Sequence, residues 1–448
     1  MAMQREQFSS RMGFVLAAAG AAVGLGNIWS FPTKAASFGG AVFVFVYLLL
    51  ILVVAYPMLV MEMAIGRHGQ ANPLDSMRAL GKSPLQKRLG EAVGWVGLSV
   101  PCLVLAFYSV VAGWLVSSLL GSMATLAGLT ASAEWLNGFS LGRNLFGLAL
   151  FYLLTILIVK AGVSAGIERW SRRLMPALLL LFVMLFLYII TLDGAMDGLR
   201  TYLVPDFSQI FDKELWLAAL GQGFFSLTIG GCSMLVYGSY LSKKESLSKT
   251  AMSVALLDTG VAFLAGLVVL PAMFVAMKNG VTIYDSGQAL IAGPTLVFEV
   301  LPLLFERLGA VGDWVAFIFF LLMTLAALTS SISMLECPVG LVSERKGISR
   351  QTLSWVFGAV IAAVSVLLIL NFPVWFEFVA DLANKYVQPL SALLFCVFGG
   401  WVWSRNGKVA ELSQGDPEFA NSLFGRIWPW YVKFVCPVLV FAVLLITI

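Results

Sequence analysis

The chain has 448 residues, 60% of them hydrophobic and only 12% charged, with a mean hydropathy of +0.92. No soluble domain buries that much apolar side chain, so the composition excludes one and predicts a polytopic helical membrane protein. The net charge of +4 is small and, as the placement of Lys and Arg shows below, reflects topology and not nucleic-acid binding.

Roughly 20 apolar residues cross a bilayer. Eleven segments of that kind are predicted, near 12–35, 41–66, 90–121, 144–161, 174–192, 214–241, 250–277, 311–342, 351–370, 376–403 and 430–447. The N-terminal MAMQREQFSSR has a positive flank but no small-residue cleavage site, so no cleaved signal peptide is expected.

The first segment carries Gly20-Ala-Ala-Val-Gly-Leu-Gly-Asn27, followed by Ile-Trp-Ser-Phe-Pro32. Three glycines and an amide in eight residues weaken a helix. An unwound midpoint would free carbonyls that protein, water or an ion must satisfy. Close packing through small residues is the other reading. In the second segment Glu62 is placed to accept amides freed elsewhere. The loop Gly66-Arg67-His68-Gly69-Gln70 holds the only histidine, which has no partner for metal or catalytic work. Tyr108 is a phenol inside the third apolar span and needs a partner there.

Gly166 and Pro176, with nine residues between them, mark a helix start that is either ordinary or easily unwound. An acidic loop (Asp193, Asp197, Asp206, Asp212, Glu214) precedes the sixth segment, which holds Phe224-Phe-Ser-Leu-Thr-Ile-Gly-Gly231. This second glycine-broken stretch tips the balance. Paired breaks in matching positions of two halves point to a transporter with a midplane site. Asp258 stands alone in the seventh segment, where a carboxylate calls for sodium, a proton or a helix-bridging hydrogen bond.

The loop near 279–310 contains an amphipathic stretch from Ser286 to Leu301, broken by Gly293 and Pro294, which predicts a helical hairpin or lid. In the eighth segment, Thr329 and Ser330 either bond back to their own helix or face the first segment's carbonyls. The five cysteines lie in apolar segments without metal-ligand spacing and read as packing residues.

Lys and Arg placement fixes the orientation. With the N-terminus cytoplasmic, the inner loops and flanks hold 20 basic residues, Arg67, Arg169 and Lys243 among them; the outer side holds six, including Arg143 and Lys278. An odd helix number puts the C-terminus outside, in a cell inner (plasma) membrane.

Taken together, GAAVGLGNIWSFP, the Gly166–Pro176 spacing, FFSLTIGG and ALTSSIS resemble the neurotransmitter:sodium symporter family, specifically its bacterial amino-acid transporters of leucine-transporter type. The resemblance runs from Arg5 to the end of the chain. It implies an all-α membrane protein of eleven transmembrane helices with inverted five-helix repeats, about 8–192 and 213–404, helices one and six broken, and an extra helix at about 430–447. It also implies two sodium sites and no organic cofactor. The first site would use the Ala22 carbonyl, Asn27, Ser226, Asp258 and the substrate carboxylate. The second would use the carbonyls of Gly20, Val23 and Ala326 with Thr329 and Ser330.

The same resemblance implies that substrate carboxylate meets the first broken segment, over Ala22, Gly24 and Gly26, and Tyr108. The side chain would lie among Val104, Tyr108, Phe225, Thr228, Gly231, Ser330 and Met334, with Ser226 close by and Phe225 closing over Tyr108. Arg5 and Glu344 would form an inner gate. Ser30 stands where the family has Arg, so Asp381 would supply only the acid of an outer gate. Gly231 replaces a bulkier residue, and a twelfth helix is absent.

The implied function is sodium-coupled uptake of a hydrophobic amino acid, independent of chloride. A channel, a transport-like sensor, or a symporter of another small amino acid or compatible solute are the alternatives. A membrane enzyme lacks support: there is no Ser-His pair, metal cluster or Walker lysine. The expected partners are the amino acid, sodium and the bilayer, with no nucleic acid; a homo-oligomer is left open.

Overall fold

The computed structural model describes residues 6–285 and 289–447. All of its regular structure is helical, as the apolar segments predict. In chain order the helices are α1 (Arg11–Ala22), α2 (Gly26–Ser37), α3 (Ala41–Gly69), α4 (Pro73–Ala79), α5 (Pro84–Leu126), α6 (Thr130–Asn137), α7 (Leu141–Val159), α8 (Val163–Ile189) and α9 (Ala195–Leu203). Then follow α10 (Lys213–Ser226), α11 (Ser233–Ser239), α12 (Leu247–Lys278), α13 (293–307), α14 (Ala310–Lys346), α15 (Arg350–Leu370), α16 (Phe372–Val402), α17 (Arg405–Ser413) and α18 (Leu423–Thr447).

Among the described residues, eight helices are long and apolar enough to cross a bilayer: α3, α5, α7, α8, α12, α14, α15 and α18. The number rises to ten when the bent pairs α1–α2, at 63°, and α16–α17, at 101°, each count as one span. The remaining predicted segment, 214–241, is expected to be broken, and it divides into α10 and α11, of 14 and 7 residues, each too short to span alone.

The inner helices bury small and apolar residues together, whereas Leu180, Leu187, Val360, Leu367 and Leu370 on α8 and α15 stay exposed, as lipid-facing side chains do. Small residues let backbones meet where the core is tightest. A side chain on Gly66 would come within 1.9 Å of the Leu235 carbonyl, so α3 and α11 touch through main chain. Arg67, read above as a loop residue, lies inside α3 and is fully buried. Its Nε donates to Glu411 Oε1 at 2.7 Å and its Nη1 to the Glu245 carbonyl at 2.7 Å, tying α3 to α17.

The two ends of the bundle are built differently. At one end a vestibule of about 420 Å³ opens between α2, α5, α10 and α16, with Pro294 of α13 at its rim. At the other end the residues just before α1 are stitched down. Phe8 packs its ring 5.2 Å from Phe14 and 5.7 Å from Tyr237, and both Ser9 and Ser10 donate to Glu168. Tyr240 Oη donates to the buried Glu336 at 2.6 Å, and Arg350 pairs with the same carboxylate. Glu6 accepts from the Val163 N–H at the start of α8.

Candidate functional site

The first break lies between Ala22 and Gly26. Val23 leaves the helix with φ −64° and ψ 110°, and Val23 N–H still donates back to Ala19. The second break runs from Leu227 to Cys232 and is more contorted, with positive φ at Thr228 (49°), Gly230 (79°) and Cys232 (64°). Thr228 is β-branched, so this conformation is strained for it. The surrounding helices hold it in place. Gly230 N–H donates to Glu62 Oε1 at 2.6 Å, and Gln388 Nε2 donates to the Ile229 carbonyl at 3.1 Å. Glu62 thus accepts an amide freed by the break, as its position suggests.

Between the breaks, polar groups collect in two clusters. In the first, Asn27 Nδ2 donates to Ser226 Oγ at 2.9 Å and to Asp258 Oδ1 at 2.8 Å, and Ser226 Oγ donates to Asp258 Oδ2 at 2.6 Å. Asp258 is fully buried and has no positive side chain among these partners. Asn27 Oδ1 accepts from Gly24 N–H at 3.2 Å, which curls the first break around the cluster.

The second cluster is made mostly of main chain. Ser330 Oγ lies 2.8 Å from the Val23 carbonyl, 3.3 Å from Ala326 and 3.4 Å from Gly20. Thr329 Oγ1 lies 3.0 Å from the Ala326 carbonyl. The two hydroxyls therefore both bond back to α14, and Ser330 also faces the first segment. Each cluster is a set of hard oxygen donors, the chemistry that suits a cation such as sodium. In the first cluster a half-turn of the Asn27 amide would bring its own oxygen to bear.

A cavity of about 110 Å³ adjoins both clusters, lined by Ala22, Gly24, Gly26, Val104, Tyr108, Phe225, Thr228, Gly231, Ser330 and Met334 among others. The Tyr108 hydroxyl is buried and has no hydrogen-bond partner among the described residues. A side chain at Gly24 would sit 3.5 Å from that hydroxyl and 3.3 Å from Ser330 Oγ, so glycine keeps this corner open. Phe225 packs on Gly26, where a Cβ would clash at 2.5 Å, and lines both the cavity and the vestibule. It is 40% exposed, so the ring stands at the boundary between the two spaces. Trp29 lines both spaces as well. Gly231 serves its own turn in addition to the cavity, since a Cβ there would meet the Thr228 carbonyl at 2.7 Å.

The family model described as the sodium:neurotransmitter symporter family matches residues 5–139 and 138–448. The chain belongs to this family. The symporter is 35% identical to the sodium-dependent transporter YhdH of Bacillus subtilis, over 98% of this chain and 97% of that protein. It is 32% identical to a sodium-dependent transporter of Haemophilus influenzae with the same coverage. The sodium- and chloride-dependent GABA transporter 2 of Bos taurus is more distant, at 26% identity over 72% of this chain and 60% of that protein. Among solved structures, MhsT in complex with L-phenylalanine superposes with a TM-score of 0.82 at 34% identity, covering 99% of this chain and all of that one. The chain is thus a sodium-dependent, multi-pass membrane symporter.

The remaining expected site residues of the symporter lie at its two ends. Asp381 pairs with Lys385 on its own helix at 2.7 Å. Ser30 Oγ and Lys34 Nζ both donate to Gln222 Oε1 at 3.1 Å, while Gln222 Nε2 donates to the Gly26 carbonyl at 3.3 Å. Gln222 therefore joins α10 to α2 at the vestibule floor. Glu344 accepts from Asn72 Nδ2 at 3.2 Å; Arg5 lies outside the described residues.

Sequence reading missed Gln222, Lys34 and Gln388. The signal was present, because each is a polar residue inside an apolar segment, and Gln222 lies one helical turn before Ser226.

Proposed function

We propose that this symporter uses the inward sodium gradient to take up hydrophobic L-amino acids, Leu, Ile, Met and aromatic residues such as Tyr, by alternating access. The observation that carries this reading is the buried Asp258 carboxylate, bonded to Asn27 and Ser226 beside a cavity in which Gly24 keeps one corner open. With no acid at that corner, nothing there answers a substrate amine, whereas the unpartnered Tyr108 hydroxyl and the freed amides of the first break suit a carboxylate. Sodium at Ala22, Asn27, Ser226 and Asp258 would be completed by that carboxylate. A second sodium would take Gly20, Val23, Ala326, Thr329 and Ser330.

Asp258 supplies a fixed negative charge, so transport does not require chloride. The N-terminus is cytoplasmic and the C-terminus extracytoplasmic, with the vestibule facing outward. The two breaks belong to equivalent positions of two inverted repeats. Each sodium moved gains about 2.3 kcal/mol per 100 mV of membrane potential, ample drive for concentrative uptake.

The test is uptake of labelled Leu, Met, Tyr and Phe into proteoliposomes carrying an inward sodium gradient. Accumulation that collapses when sodium is equal on both sides is the expected result. Flux that only dissipates a substrate gradient would make the protein a channel, and competition by isoamylamine as strong as by leucine would remove the carboxylate from the site.

A further inference from the structure

A bay of about 690 Å³ lies at the end of the bundle opposite the vestibule, apart from both oxygen clusters and the cavity between them. Three helices begin at its rim: α1 at Arg11, α12 at Leu247 and α18 at Leu423. Its polar lining holds charges of both signs, Arg11 and Lys249 against Asp416 and Glu418, and its floor is Tyr56, Phe419 and Phe424. Lys249 Nζ lies 3.3 Å from Asp416, which also accepts from Ser246 Oγ at 2.9 Å. Arg11 and Glu418 have no ion-pair partner among the described residues, and both are exposed.

The surface next to the bay is apolar. Met12 is 64% exposed, Leu256, one turn beyond Met252 on α12, 57%, Leu423 76% and Ile427 50%. In a chain that spans a bilayer, such side chains meet acyl tails. The bay therefore sits where tails give way to headgroups.

We propose that it binds the headgroup of a zwitterionic phospholipid carrying a primary ammonium. The phosphate would lie against Arg11 and Lys249, where the positive ends of three helix dipoles begin. The ammonium would donate to Glu418, its acyl chains running over Leu256, Leu423 and Ile427. Two unpaired charges of opposite sign across one bay match a zwitterion; an anionic headgroup would leave Glu418 opposed. The lipid bridges α1 to the segment before α18 and so braces the closed end of the bundle.

Full-length protein in nanodiscs of phosphatidylethanolamine, phosphatidylcholine or phosphatidylglycerol tests this, read by melting temperature and by native mass spectrometry of the lipid kept on release. The expected result is one retained phosphatidylethanolamine and the highest melting temperature in that lipid. Glu418→Gln should erase the preference over phosphatidylglycerol. Arg11→Ala should weaken retention of all three by about tenfold, the weight of one charge-assisted contact, and Arg11→Lys should restore it. Equal retention and equal melting in the three lipids would overturn the proposal, as would a preference unchanged in both variants. Neither outcome bears on sodium-coupled uptake, which the same samples report separately.

Discussion

The two oxygen clusters between the helix breaks are neighbours of opposite construction. The Asp258 cluster is held by side chains from three elements, Asn27, Ser226 and Asp258, and contains an ionisable carboxyl group. The Ser330 cluster is held by carbonyls of Gly20, Val23 and Ala326 and is neutral. A site of side chains can be emptied by one substitution, whereas a site of carbonyls survives the loss of a hydroxyl because the backbone stays in place. The first cluster should therefore be the fragile one, although each cluster puts one side chain, Asn27 or Ser330, on the cavity wall.

The sharpest break of this comparison is at the charge. Asp258→Ala should lower sodium-driven uptake by on the order of 100-fold, because it removes the carboxyl oxygens that accept from both Asn27 and Ser226. Asp258→Asn should either lose activity or acquire a need for chloride, read by replacing chloride with gluconate; the parent protein should be indifferent to that replacement. A parent that stops in gluconate would show that Asp258 is not the fixed anion. Ser330→Ala should cost less, about tenfold in apparent sodium affinity, for one neutral hydroxyl lost from a carbonyl cage. If Ser330→Ala is as damaging as Asp258→Ala, the contrast between the clusters is wrong.

Two further substitutions separate the scaffold of the site from its contents. Glu62→Leu leaves the Gly230 N–H buried without its acceptor, and should destabilise the protein by about 1–3 kcal/mol while leaving sodium selectivity unchanged. Thermal melting with and without substrate reads this directly. The smallest effect is expected at Met334, which lines the cavity with a flexible side chain. Met334→Phe should discriminate against Tyr and Phe while sparing Ala and Val. Gly231→Ala should instead depress all substrates together, because its Cβ would press on the Thr228 carbonyl within the turn. Substrate panels for the two variants, measured side by side, decide whether Gly231 shapes the pocket or the backbone.

Much of this site was legible in the chain. Glycines clustered in an apolar run marked both breaks, and Asp258 and Asn27 stood out as polar groups at membrane depth. What escaped the sequence has physical causes. The glycines mark the break within 214–241, but nothing local foretells positive φ at Thr228, a residue type that resists that conformation. Arg67 read as a loop residue because its partner, Glu411, lies 344 positions away, and no local pattern announces a buried ion pair closed by folding. Gln222 and Gln388 were passed over because an isolated amide in an apolar run carries no charge to explain. Their roles depend on which carbonyl comes within reach, and that is a fact of assembly.

The chain has 13 tryptophans, and Trp29 lines both the cavity and the vestibule above it. Indole emission shifts with the polarity of its surroundings, so filling the cavity or drying the vestibule changes the light this residue returns. The protein carries its own optical reporter, and a Trp29→Phe control would isolate its signal from the others.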